Sequence, residues 1–298
     1  MKPIMQTLLA NSIDYAGLFP PAKLDLPAAV ANYAQYVRSD DAWMLGRFIL
    51  PASRLEEFDE VAADLLPQSR ADGWKLAALA GSDLAGDLKR IGEFNCRHAA
   101  DQAGAAAIDT LECKAETPQQ IRALADETPD WLQTYLEIPI HEDCVPLLAA
   151  IATSGARAKV RTGGISRELF PDPDELAGFL ADCVNAGVPF KATAGLHHPI
   201  RGSYRLTYED GSDSAPMYGF INLFLATALL REGLEPAAAA VLLLETSAGA
   251  FTVDDDSISW QGRTVGRQQL TETRRQFVSF GSCSFREPID DLRALGLL

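Results

Sequence analysis

The chain has 298 residues, 47% of them hydrophobic, which is enough to fill the core of one large domain or of two ordinary ones. Its formal net charge of −15 argues against nucleic acid or an anionic membrane surface as a partner, and makes any local cluster of cations informative. The 5 cysteines are scattered, with no C-x-x-C spacing, so they suggest neither a disulfide framework nor a thiolate zinc site and point to the cytoplasm.

No signal peptide is visible at the N-terminus, and the apolar run Ala237 to Leu244 is too short to span a bilayer. In chain order, strands are predicted near 13–18, 46–51, 74–80, 109–114, 133–138, 158–162, 189–194 and 277–281. Amphipathic helices are predicted between them, near 26–38, 54–66, 83–97, 117–127, 142–154 and 173–186, with start signals at Ser53, Ser82 and Thr117-Pro118. Eight strands alternating with helices predict a (β/α)8 TIM barrel as a single domain over 1–298, with a doubly wound open sheet as the alternative.

One interval breaks the rhythm. Residues 203–276 hold a polar loop after Tyr208, an apolar helix from Tyr218 to Glu232, a second helix from Glu235 to Thr246, and a hairpin turning at Asp254 to Asp256. This interval reads as an insertion, either a lid, a homo-oligomer contact or an elaborated packing helix.

In a barrel the site lies at the C-terminal mouths of the strands. Those positions carry Arg47, Lys75, Glu112, Lys114, Glu137, Lys159, Arg161 and Lys191. Lys75, near the start of its strand, reads as structural. Alternation sends Lys159 and Arg161 to one side, as it does Glu112 and Lys114, and Lys191 and Thr193. Six cations against two carboxylates imply a small anionic metabolite as ligand, with the carboxylates left to move protons or hold a lysine. Gly163, Gly164 and Gly195 suit close backbone approach to a ligand. A lysine buried among cations is expected to have a lowered pKa and to act as a nucleophile toward carbonyls; spacing leaves open which lysine attacks.

The adjacent His197 and His198 follow the seventh strand, where one of them could serve as general acid or base. A metal held by a histidine with Glu112 and Glu137 fits on ligand type, but the neighbouring cations would repel it, so neither metal nor cofactor is expected. Near the N-terminus, Asp14 to Pro21 forms a rigid turn whose aromatic residues either wall the pocket or cap the barrel. Cys283 reads as a small buried residue rather than a nucleophile.

The segments K-V-R-T-G-G from Lys159, G-V-P-F-K-A-T-A-G around Lys191 and S-F-G-S-C-S from Ser279 resemble the last three strands of the deoxyribose-phosphate aldolase family of class I aldolases. The resemblance implies that Lys159 forms the Schiff base and Lys191 lowers its pKa. It also implies an anion site of Gly281, Ser282 and Ser284 at a helix N-terminus. Glu112 stands nearest to the family's catalytic aspartate. Arg161 departs from the family's small hydroxyl residue, as do Leu196 to Pro199 and the 203–276 interval, which turns the expectation away from deoxyribose phosphate itself.

The expected function is a cofactor-independent lyase acting on a small anionic carbonyl compound, with Arg161 holding the anion and Glu112, Glu137 or His197 moving protons. Two alternatives keep the barrel: an isomerase or hydrolase using carboxylate and histidine, with or without a metal, and a non-catalytic barrel that binds an anion.

Overall fold

Runs such as Phe48–Leu50 and Leu76–Ala78 are apolar at consecutive positions and buried throughout, the pattern of strands covered on both faces. In the computed structural model, which describes residues 2–99, 103–141 and 143–298, these runs lie in a closed eight-stranded parallel barrel. Its strands are β1 (Ile13–Tyr15), β2 (Leu45–Pro51), β3 (Trp74–Leu79), β4 (Ala106–Lys114), β5 (Gln133–Glu137), β6 (Arg157–Arg161), β7 (Phe190–Thr193) and a closing strand, Phe277–Ser282. The closing strand pairs with β1 on one side and β7 on the other, so the sheet has no free edge. This is the predicted (β/α)8 TIM barrel.

The six predicted helices form as Leu26–Tyr36, Leu55–Ala62, Leu84–Ala99, Pro118–Glu127, Val145–Ser154 and Pro173–Ala186; position 142, where the fifth was expected to begin, lies outside the described residues. Thr117 caps its helix through a reciprocal pair with Gln120, and Pro118 fills the first turn, where its missing N–H costs nothing. Two start signals move. Asp83, not Ser82, accepts the Gly86 N–H at 3.0 Å, and Ser53 lies within the short 3-10 turn Ala52–Arg54. Helices Pro3–Leu9 and Arg286–Ala294 add to the expected set.

The interval between β7 and the closing strand is more regular than predicted. The polar loop belongs to a hairpin of Gly202–Arg205 and Ser214–Met217, and the expected second hairpin gains a third strand, giving Phe251–Val253, Ser257–Trp260 and Arg263–Gly266. Helix Phe220–Arg231 is buried at every residue but the last, between the closing strand, Pro173–Ala186, and helices Pro236–Leu243 and Arg267–Gln276. A helix apolar on all sides needs such cover. It holds the position of a barrel helix, and Phe224 stacks on Phe277 of the closing strand at 4.1 Å between ring centres.

Candidate active site

Alternation along the strands builds the interior in layers. Lys159 and Lys191 are register partners on β6 and β7, and Lys191 is also paired with Ser279 of the closing strand. Two residues further along, about 6.6 Å up at 3.3 Å per residue, Arg161 faces Thr193, and Thr193 faces Gly281. A cavity of about 280 Å³ opens above the lower layer at the C-terminal end of the strands. Glu112, Glu137, Lys159 and Lys191 form its floor.

The floor is one continuous chain of ion pairs. Asp14 Oδ2 meets Lys191 Nζ at 2.5 Å, Lys191 meets Glu112 Oε1 at 2.7 Å, Glu112 Oε2 meets Lys159 Nζ at 2.8 Å, and Lys159 meets Glu137 Oε2 at 2.8 Å. The Ser279 hydroxyl donates to Asp14 Oδ2 at 2.7 Å, and the Arg47 backbone N–H donates to Asp14 Oδ1 at 2.8 Å. Below, Lys191 Nζ lies 5.5 Å from the centre of the Tyr135 ring, a cation–π contact that closes the floor.

These contacts decide the protonation states. Burial would lower the Lys191 pKa, but Asp14 and Glu112 outweigh it and raise it above the ordinary lysine value. Lys159 is raised in the same way, burial being overcome by Glu112 and Glu137. Burial would raise the Glu112 carboxyl, yet the two lysines hold it at about 2. The expected lowering of the lysine pKa is therefore reversed: three carboxylates stand around and between the two ammonium groups, so the cations do not repel one another unscreened.

The two lysines differ in access. The Lys191 side chain is 1% exposed and that of Lys159 is 9% exposed, so a molecule in the cavity reaches Lys159 first. The histidines part, as adjacent residues do. His198 turns outward, with its Nδ1 2.6 Å from Asp291 and its ring stacked on Tyr204. His197 lines the cavity with Nδ1 3.0 Å from Ser282 Oγ. The Ser282 hydroxyl donates to the Ser284 carbonyl at 2.6 Å, so its oxygen is left to accept the His197 Nδ1–H, and Nε2 carries the lone pair. Burial, with a smaller contribution from His198, lowers the His197 pKa to about 4, which keeps the ring neutral.

The other predicted residues divide. Lys114, Arg161, Gly164, Thr193 and Gly281 line the cavity with the floor residues. Gly163 is set back against the Phe170 ring, which a Cβ there would meet at 2.5 Å. Arg47 is drawn away from the cavity because its guanidinium is held by Asp109, with Nη2 to Oδ2 at 2.8 Å. The expected anion loop does not assemble: the Ser282 hydroxyl is engaged with His197 and Ser284, and the Ser284 hydroxyl accepts the Glu287 N–H at 3.1 Å, capping the last helix. Lys75 is exposed near the start of β3, and Cys283 is a thiol raised to about 11 by burial, consistent with a non-nucleophilic role. Phe19, Pro20 and Pro21 wall the cavity, while Tyr15 packs outward against Tyr33 and Tyr36.

Sequence reasoning missed Asp14 and Ser279. The alternation Ile13-Asp14-Tyr15 between two apolar neighbours held the signal for Asp14, a charged residue on the inner face of a buried strand. Among the described residues no group of three histidine, cysteine or acidic side chains is arranged to hold a metal ion, and no helix is long and apolar enough to cross a membrane. Comparison with family models, with curated proteins and with solved structures returns no match.

Proposed function

We propose that the chain is a cofactor-independent lyase that makes or breaks a carbon–carbon bond through an imine on Lys159, with the lysine pair used as in the deoxyribose-phosphate aldolase family. The observation that carries this reading is the pairing of two buried lysines at the floor of a cavity, the more accessible of which has a carboxylate on either side to take its proton.

In this mechanism the substrate carbonyl enters above Lys159, and Nζ passes a proton to Glu137 as the ion pair opens. The free amine adds to the carbonyl carbon, one proton moves from its nitrogen to the oxygen to give the carbinolamine, and the proton held by Glu137 then lets that oxygen leave as water, giving the iminium. The bond between the α and β carbons breaks as a base takes the proton of the β hydroxyl; the electrons pass to the iminium as an enamine. His197 Nε2, neutral and facing the cavity, suits that base. Protonation of the enamine carbon and addition of water then release the second product and restore the amine. Lys191 stays an ammonium throughout, holding Glu112 ionised and in place. The test is intact mass after borohydride treatment with a panel of aldehydes, ketones and keto acids. An adduct is expected on the wild type and on Lys191→Ala but not on Lys159→Ala; no adduct with any carbonyl sinks the imine.

One observation favours a second reading. Both lysines rest as ammonium groups, which suits electrostatic stabilisation of an enolate while a carboxylate or His197 moves the proton, the chemistry of an isomerase. Activity that survives Lys159→Arg would select it.

A further inference from the structure

We propose that the substrate is a carbonyl compound with an apolar body and a terminal carboxylate, rather than a polyhydroxylated sugar phosphate. This rests on the lysine-imine reading for the reactive end of the molecule and goes beyond it for the rest.

Between the charged floor and the mouth, the cavity is walled by Phe19, Ile49, Leu79, Leu169, Leu206 and Met217. Few polar groups face this space. Along this wall Thr193 Oγ1 already donates to the Val160 carbonyl at 3.3 Å, and His197 is the polar side chain between the ionic floor and the cations of the mouth. A sugar would bring a hydroxyl on nearly every carbon, and each hydroxyl desolvated without a partner costs about 1–3 kcal/mol. An alkyl or aryl body meets no such cost and gains about 25 cal/mol for each Å² of apolar surface removed from water. At the lip, Ile165 and Leu169 are 46% and 45% exposed, large aliphatic side chains left in water beside the opening. An apolar ligand would cover them.

The upper layer supplies the other half of the recognition. Lys114 and Arg161, at the ends of β4 and β6, are exposed, line the opening and form no ion pair among the described residues. Every cation of the floor is matched by a carboxylate; these two are not, and an anion arriving at the mouth would be their first counter-charge. A phosphate in a barrel is commonly held by backbone N–H groups at a helix N-terminus. Here Ser282 and Ser284, at the start of the last helix, do not line the cavity, whereas Lys114 and Arg161 do, which makes the side-chain cations the anion's hosts. The forked guanidinium of Arg161 suits a carboxylate.

Calorimetric titration with three unreactive probes tests this without any imine: 4-methylpentanoate, gluconate and glycerol 3-phosphate. The expected result is that 4-methylpentanoate binds at least about tenfold more tightly than either hydroxylated probe, and that Leu169→Ser and Arg161→Gln each weaken it by about tenfold. Equal or tighter binding of gluconate or glycerol 3-phosphate overturns the proposal, as does failure of all three probes to bind. Because no probe carries an aldehyde or ketone, selective binding of 4-methylpentanoate together with a failed borohydride trap would sink the imine while upholding the specificity.

Discussion

Lys159 and Lys191 are register partners on neighbouring strands, and the carboxylate of Glu112 stands between their ammonium groups, giving one oxygen to each at 2.8 and 2.7 Å. Two like charges on adjacent buried positions would each suppress the other's protonation; a shared counter-ion does the reverse. Under the proposed imine chemistry, activation of the amine comes with the substrate, when an incoming molecule parts an ion pair, rather than being present beforehand.

Glu112→Gln removes the shared carboxylate and leaves two buried cations with one partner each. The expected cost is about 3–5 kcal/mol of folding stability, the range for breaking a buried pair from one side. Denaturant unfolding of the variant against the wild type measures it; a loss under about 1 kcal/mol would mean that the lysines find other partners.

The same residue sets an acid limit. Its folded value of about 2 lies below the ordinary 4.5, so its contribution is complete above about pH 4.5 and is lost as pH falls toward 2. Lys159 behaves oppositely: raised above 10.5, it stabilises fully below that value, and the contribution goes as pH rises through the higher folded value. Unfolding midpoints between pH 6 and pH 2.5 should fall less steeply in Glu112→Gln than in the wild type. Parallel curves would assign the acid sensitivity elsewhere.

Among the described residues Glu137 pairs with Lys159 alone, at the end of the chain of charges nearest the cavity. Glu137→Gln takes away one of the two carboxylates that raise the Lys159 pKa, so more free amine is present at a given pH. The rate of borohydride trapping at saturating carbonyl, measured against pH, is expected to rise at a lower pH than in the wild type, by about one unit. An unmoved profile would show that Glu137 does not govern the nucleophile. Turnover, which needs the proton acceptor, should fall in the same variant.

Gly46 lies against the other end of the chain. A Cβ there would come within 2.3 Å of Asp14 Oδ1 and 3.2 Å of the Ile13 backbone. Gly46→Ala is expected to cost about 1–3 kcal/mol through overpacking and to push Asp14 off Lys191. Thermal unfolding reads the first effect. For the second, Asp14→Asn in the same background should add little further loss; full additivity would show that the two positions are uncoupled.

The barrel strands were legible as short segments with buried apolar residues between turn residues and helical stretches, and Lys159, Glu112 and Glu137 were legible as charges inside such segments. The sign of the lysine shift was not, because it depends on which strands are neighbours and in what register. Nothing local in the sequence says that Glu112 of β4 reaches across to Lys191 of β7. Asp14 escaped because the double proline after it draws the eye to a turn, whereas its three-residue strand closes the barrel. Ser282 and Ser284 carried the signature of an anion loop, and their hydroxyls found nearer partners in His197 and the last helix. Arg47 fell to a bulge in β4: the register against β3 slips between Leu76 and Ala77, which sets Asp109 where it takes the guanidinium.

The exposed Cys96 and the surface lysines are open to whatever electrophiles surround the protein, but the most enclosed amines of this chain are shielded from them in a different way. An ammonium clasped by two carboxylates has no lone pair to offer, so stray aldehydes and acylating agents that drift into the cavity meet a chemically silent floor. Under the proposed imine chemistry the clasp works as a safety catch: it keeps a nitrogen from being spent on the wrong molecule, and makes discrimination a matter of which visitor can open the ion pair as well as which one fits.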